Sequence, residues 1–429
     1  MIDRAALDRR QFLAVLAGAA LATTALAGCA IAPMAVRPAR RWVAVQKLIE
    51  GYVADRTFAG VAMALSYGGD NFAYPAAGTL AFDSAARVDE NSLFRIYSMT
   101  KSVTRIAALM LVEDGKISLD QPVADVLPEF RSLRVAIDIE KGMESRPATR
   151  QMTMRHLLTN TSGLANWTPG SGGGALHALY RERGITPGNY GAGLRRLSYG
   201  PQAKNLVDMV ERVAELPLAY EPGTVVHYSI GFDVMGLVIE RVTGKGYDAF
   251  LRERLFGPLK MDSTGFQVAP GDVARLTTNY DASQEGMKAI DPGPTSVWLK
   301  PPTLLAGGAG LVSTAHNFAR FGSMLLSEGS LDGARVMKPE TARLALSDLK
   351  PADAVDPAEG VGTGTRNLLL HPFGPPGSYG GGGAAGTIWW IDPALRGNVV
   401  FMAQSMGRYT PATYPVPKQL RAAVEADLG

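Results

Sequence analysis

Apolar residues recur at helical spacing in "RRWVAVQKLIEGYVADRTFAG", where Trp42, Val43, Val45, Leu48, Ile49 and Val53 share one face and Gly60 closes the segment. The next stretch, "GVAMALSYGGDNFAYPAAG", alternates apolar with small or polar residues around Gly68-Gly69-Asp70. That pattern predicts a β-hairpin. Helical periodicity then dominates, with apolar segments at 102–113, 205–216, 231–243 and 247–256. The pattern returns to strands only near "GTIWWIDPALRGNVVFMAQS", and the C-terminal "PKQLRAAVEADL" is again helical. Strands at both ends with helices between them predict an α/β (α+β) fold: one sheet built from the two chain ends, flanked by terminal helices, with a mostly helical lobe inserted. The sheet part is expected at about 41–95 and 365–429 and the lobe at about 96–364. No internal repeat is visible.

The first thirty residues depart from this pattern. Arg9 and Arg10 precede an apolar run from Phe12 to Ala27, the layout of an export signal, and the pair followed by Gln11, Phe12 and Leu13 resembles a twin-arginine signal. The run ends in "LAGC", which resembles a lipobox with Cys29 as the lipidated residue. Cys29 is the single cysteine of the chain, so an intramolecular disulfide is excluded. Residues 1–28 are therefore expected to be a signal, 29–40 a tether, and 41–429 a folded domain in the cell envelope, the membrane being touched only through the lipid. A plain cleaved signal or an uncleaved anchor are the other readings of the same run.

A chain of 429 residues can bury a large core, and 46% hydrophobic with 19% charged residues are globular values. Lys plus Arg number 43 against 40 Asp plus Glu, and no basic run interleaved with aromatics follows residue 45, so nucleic acid is not an expected partner. Between Thr168 and Tyr199 the chain is rich in glycine and proline, with one short helix expected at Ala175 to Arg183. A loop of this length is a candidate pocket wall, with Trp167, Tyr180 and Tyr190 as candidate contacts, or a solvated insertion without a role.

Candidate chemistry starts at "FRIYSMTKSV", where Ser98 and Lys101 stand three residues apart. Ser98 precedes the apolar face Val103, Ile106, Ala107, Met110, Leu111, and so sits at a helix N-terminus, where free N–H groups and the helix dipole favour negative charge. At i and i+3 the two side chains share a helix face. A second Ser-x-x-Lys, Ser347 to Lys350, lies at a frayed helix end before Pro351. Alone, Ser98 reads first as a helix cap and Lys101 as a solvated first-turn lysine, and other motifs must decide. No G-x-S-x-G occurs, which removes the usual nucleophile elbow. The five histidines, at 156, 177, 227, 316 and 371, lack triad or H-E-x-x-H patterns and read as structural. No metal or other cofactor is expected.

Three ordered segments carry a resemblance: "SMTK" at 98–101, "VVHYSIGFDVMGLVIERVTG" with Tyr228, and "YGGGGAAGTIWWIDP". Together with "MTMRHLLTNTSGL", "YEPGTVVHYS", "LFGPLKMDSTGF" and "AGGAGLVSTAHNFARFGSMLL", they resemble the serine hydrolases related to class C β-lactamases and D-alanyl-D-alanine carboxypeptidases, above all the carboxylesterases of that superfamily. The resemblance runs from about residue 45 to the C-terminus. It implies a β-lactamase-like fold with an antiparallel sheet, Ser98 as nucleophile, Lys101 with Tyr228 as general base and acid, and an acyl-Ser98 intermediate. It also implies an oxyanion hole at the N–H groups of Ser98 and Ala384, each such donor lowering the barrier by about 3 kcal/mol.

Two departures from the lactamase pattern narrow the substrate. Ile230 stands where lactamases and peptidases carry asparagine, and Gly381, Gly382 and Gly383 stand where they carry Lys-Thr-Gly or His-x-Gly. No cation is left there to recognise a substrate carboxylate. With these positions as substrate-binding residues, the expectation is a carboxylesterase acting on a small or medium ester. An amide hydrolase and a non-catalytic binding lipoprotein are the alternatives.

Overall fold

The segment "GVAMALS" buries every residue of a strand, with its large side chains on one face and its alanines on the other. It is strand β1 (Gly60–Ser66) in a computed structural model that describes residues 41–166, 174–186, 200–283, 286–357, 374–406 and 415–429. The signal, the tether with Cys29, most of the 168–199 insertion with Trp167 and Tyr190, and His371 lie outside the described residues. Helix α1 (Val43–Ala54) precedes β1, and the hairpin continues through the Gly68–Gly69 turn into β2 (Ala76–Gly78). Late in the chain come β3 (Tyr379–Gly383), β4 (Thr387–Asp392) and β5 (Gly397–Met402). The sheet order is β3-β4-β5-β1-β2, antiparallel throughout, with Leu65 opposite Val399 and Trp389 opposite Val400. Both chain ends thus share one sheet.

The strand alternation sorts the core into two layers. Val61, Met63, Leu65, Ile388, Trp390, Val399 and Phe401 face α1 and the C-terminal helix α5 (Val416–Leu428). Ala62, Ala64, Trp389, Ile391, Val400 and Met402 face the opposite side, where helix α4 (Ala315–Leu326) sets Phe318 and Phe321 edge-on against Trp389 at 5.3 and 5.6 Å. Alanines on this face leave the helix room to approach.

Helices α2 (Thr100–Glu113) and α3 (Gly231–Thr243) pack together at the centre of the helical part. The α2 pattern predicted one apolar face. Instead every residue from Thr100 to Leu111 is buried, Lys101 and Arg105 included. A second departure is the hairpin Asn279–Ser283 and Gly286–Asp291, joined in parallel by Ser405–Met406, inside the region expected to be helical. Its strands, "NYDAS" and "GMKAID", are short and about half apolar, so their polar–apolar alternation is too brief to stand out along the chain, and the third strand comes from a distant segment. Val43, assigned to the apolar face of α1, is 68% exposed. The short helix Gly174–Glu182 matches the one expected within the insertion.

The two terminal helices are tied by one side chain. Trp42, the N-cap of α1, offers no side-chain acceptor, and the carboxylate oxygens of Asp427 on α5 accept from Ala44 N–H and Val45 N–H, both at 2.9 Å. A carboxylate at a helix N-terminus satisfies otherwise unpaired donors and opposes the dipole. Asp427→Ala is expected to lower unfolding free energy by about 1 kcal/mol, measured by denaturant titration.

Candidate active site

The approach to Ser98 is built on a buried charge. Arg95 is fully buried on a short strand, Phe94–Arg95, paired with Val312–Ser313. Its guanidinium donates to Asp291 Oδ2 at 2.7 Å, to the Thr277 carbonyl at 2.6 Å and to Ser296 Oγ at 2.9 Å. Gln404 grips the backbone of the same residue: its Oε1 accepts from Arg95 N–H at 3.1 Å and its Nε2 donates to the Arg95 carbonyl at 3.1 Å. Two residues on, Tyr97 has φ +42°, a left-handed conformation that a bulky side chain rarely adopts. Its buried phenol accepts from Asn279 Nδ2 at 2.8 Å and its ring meets Trp298 edge-on at 6.1 Å. Burial pushes that phenol's pKa well above its ordinary value. Strain of about 1–3 kcal/mol at such a residue persists only where packing over-determines it. The kink leads into a single 3-10 turn, Tyr97–Met99, and α2 starts at Thr100.

Ser98, Lys101 and Tyr228 meet. Ser98 Oγ lies 2.6 Å from Tyr228 Oη, and Lys101 Nζ lies 3.4 Å from Ser98 Oγ. The same ammonium donates to the Gly308 carbonyl at 2.7 Å and sits 4.5 Å from the centroid of the Tyr228 ring, a cation–π contact. Lys101 is only 4% exposed, whereas Ser98 and Tyr228 are half-buried and open to a reactant. Tyr228 is carried by a non-regular segment before α3. His227 N–H donates to the Asn160 carbonyl at 2.7 Å and Ser229 N–H to Asn160 Oδ1 at 3.3 Å, so Asn160, at φ +55°, brackets the tyrosine on both sides.

The second Ser-x-x-Lys does not assemble. Ser347 Oγ donates to the Leu344 carbonyl at 2.8 Å, closing the end of a helix, and Lys350 Nζ donates to the carbonyls of Pro351 and Ala354.

Strand β3 lies against the Tyr97–Met99 turn. A Cβ at Gly383 would fall 2.2 Å from the Ile96 carbonyl oxygen, and one at Gly380 would fall 2.1 Å from that of Trp389. At these two positions glycine serves the protein's own packing and leaves no space for a substrate. Gly381 is buried and Gly382 half-buried. Ala384 follows Gly383 in a turn closed by Gly386 N–H on the Gly383 carbonyl at 2.9 Å, and is half-buried. Ile230, 3% exposed, does not reach the surface: it lines a small, mostly apolar cavity with Leu206, Met209, Leu304 and Ala306, to which Thr186 and Asp233 also contribute.

Sequence reasoning missed the residues that support the trio. Asp233, on the first turn of α3, is buried, and its Oδ1 accepts from Gly308 N–H at 3.0 Å. Burial raises its carboxyl pKa and the charge of Lys101 opposes that rise. Thr104 Oγ1 donates to the Gly307 carbonyl at 2.6 Å and meets Tyr247 Oη at 2.6 Å. The signals were an aspartate within an otherwise apolar helix start, "GFDVMGLVIE", and the adjacent glycines of "LLAGGAG". The described histidines take part elsewhere: His156 Nδ1 accepts from Thr153 N–H in a helix cap, and His316 Nδ1 meets Tyr74 Oη at 2.9 Å. Desolvation holds both His156 and His227 down at about 4, so they are neutral near pH 7. Among the described residues no group of three His, Cys, Asp or Glu side chains converges as a metal site.

Residues 45–423 match the Beta-lactamase family. Esterase EstB of Burkholderia gladioli is 31% identical over 363 residues, covering 79% of this chain and 83% of that protein. Protein Rv1367c of Mycobacterium tuberculosis is 32% identical over 340 residues, covering 75% and 80%. Among solved structures, "EstCE1, a hydrolase with promiscuous acyltransferase activity" superposes with a TM-score of 0.71 at 22% identity, covering 89% of this chain and 97% of that one.

A hydroxyl within hydrogen-bond reach of a phenol oxygen, beside a desolvated ammonium, is an arrangement able to move a proton off the serine and onto a leaving group. Tyr228→Phe removes the phenol oxygen that meets Ser98 Oγ and keeps the ring that covers Lys101. It is expected to lower kcat for ester hydrolysis by about 100-fold or more while leaving the thermal midpoint within a few degrees; steady-state kinetics and thermal unfolding check both.

Proposed function

The chain belongs to the beta-lactamase family, and we propose that within it this protein is a serine carboxylesterase that works through an acyl-Ser98 intermediate. The observation that carries the reading is the contact of Ser98 Oγ with Tyr228 Oη at 2.6 Å, with Lys101 Nζ 3.4 Å from the same oxygen. Ser98 Oγ attacks the ester carbonyl carbon while its proton passes to Tyr228 Oη, which takes part as phenolate beside the Lys101 ammonium and becomes the neutral phenol. Lys101 stabilises negative charge on either oxygen as it develops. The tetrahedral oxyanion takes the N–H groups of Ser98 and Ala384. Collapse breaks the bond to the alkoxide, which leaves with the proton from Tyr228. Water then repeats the sequence, giving up a proton to Tyr228 and releasing the acid, and the proton returns to Ser98 Oγ.

The ester class rests on the lack of a cation on β3 among the described residues. Ile230, two residues after Tyr228, offers no amide to a substrate, and Gly381 to Gly383 place no cation on β3. A β-lactam or a peptide C-terminus would bring a carboxylate there without a partner, at a cost of about 1–3 kcal/mol. We also propose that the protein is exported through its twin-arginine signal and held in the envelope by lipid on Cys29.

Two experiments test these readings. Against a p-nitrophenyl ester series, Ser98→Ala is expected to lose about 10³-fold or more in kcat/KM, and nitrocefin turnover to lie about 100-fold below the best ester. Full activity in Ser98→Ala would sink the assignment, and nitrocefin turnover equal to ester turnover would move it to amides. For the anchor, Cys29→Ser should move the exported protein from the membrane pellet to the soluble envelope fraction, and an unchanged distribution on immunoblots would remove the lipid.

A further inference from the structure

The Gly307–Gly308 segment is held more firmly than a loop requires. Gly308 presents its two backbone polar groups to two different charges: its carbonyl accepts from Lys101 Nζ at 2.7 Å and its N–H donates to Asp233 Oδ1 at 3.0 Å. The Lys101 bond to this carbonyl is shorter than its bond to Ser98, so the Gly308 peptide sets where the ammonium lies. Neighbouring atoms leave no freedom for that peptide. A Cβ at Gly308 would stand 2.8 Å from Asp233 Oδ2, and one at Gly307 would stand 2.3 Å from the Phe232 carbonyl oxygen. Thr104, one turn after Lys101 on α2, fixes the Gly307 carbonyl at 2.6 Å. Asp233 itself is 5% exposed and interacts electrostatically with Lys101. A buried carboxylate next to a buried ammonium offsets part of the desolvation of both.

We propose that Asp233 is a positioning residue for acyl transfer: its carboxylate anchors the Gly308 peptide and balances the Lys101 charge, and so holds Nζ within reach of Ser98 Oγ. Asp233 acts through Lys101 and touches no substrate. The proposal rests on the reading of Ser98 as nucleophile, and its test separates the two.

Fluorophosphonate labelling of the wild-type protein at Ser98, read by peptide mass spectrometry, tests the nucleophile; an unlabelled Ser98 would overturn the hydrolase reading beneath the proposal. Asp233→Asn keeps an acceptor for Gly308 N–H and removes the charge, whereas Asp233→Leu removes both at similar volume. Gly308→Ala displaces the carboxylate from the opposite side with no change of charge. With a p-nitrophenyl ester, kcat is expected to fall about 10-fold in Asp233→Asn, about 100-fold or more in Asp233→Leu, and about 10-fold or more in Gly308→Ala, with KM within about threefold throughout. A purely structural aspartate would not produce that graded loss in kcat alone. Wild-type kcat in folded Asp233→Leu or Gly308→Ala overturns the proposal, as does a loss carried by KM. Loss of the folded state in Asp233→Asn, checked by circular dichroism, also overturns it, because the carboxylate would then be a stability element.

Discussion

A guanidinium with no access to water organises the ground on which Ser98 stands. A desolvated cation is tolerated only when its donors are all met, and the partners of Arg95 come from segments far apart in the chain: Thr277, Asp291, Ser296 and Gln404. Meeting them folds the Asn279–Asp291 hairpin and the residues after β5 onto the two-residue strand Phe94–Arg95. That strand then has no freedom of register. The chain leaves it through Tyr97 in a left-handed conformation, which surroundings so fully determined can sustain. Ser98 follows at the start of α2, half-exposed in an otherwise buried stretch.

Arg95, Lys101 and Arg105 are three buried cations within eleven residues, and each is met differently. Arg95 has a carboxylate, amide and hydroxyl shell. Arg105, whose pKa burial lowers to about 10, donates to the carbonyl of Ser347 at 3.1 Å. The serine-lysine pair that chemistry does not use therefore still serves the helix that it does use. Lys101 has a carbonyl and a serine hydroxyl with Asp233 nearby. A buried ammonium in that position interacts strongly with charge arising on Ser98 or Tyr228, because little water is present to screen it.

The glycine strand has two masters. Gly380 and Gly383 are required by contacts with Trp389 and Ile96, which bring β3 against the Tyr97–Met99 turn and leave Ala384 directly after it. The same run keeps the strand without charge. Packing and neutrality thus come from one composition, and a cation would have to be placed at Gly381 or Gly382 to leave the close approach intact.

Much was legible along the chain because it is local. Apolar residues alternating with small ones marked β1, short continuous apolar runs marked β4 and β5, with Trp389 and Trp390 on opposite faces, and period-3.6 apolar spacing marked α1, α2, α3 and α5. The i, i+3 spacing put Ser98 and Lys101 on one helix face, and the order of the motifs around Tyr228 and the glycine strand pointed to the family. What lay beyond reading was set by contacts across long separations. The inner hairpin has only five- and six-residue strands to announce it. Ser98 and Tyr228, 130 positions apart, close to 2.6 Å only in the folded molecule. Ile230, expected at the substrate, turns into a mostly apolar cavity, and Asp233, three residues on, turns toward the Gly308 peptide. Local periodicity determined the elements and the residue types available for chemistry; burial, which depends on the whole chain, decided which charges would be desolvated and therefore which of them could act on Ser98.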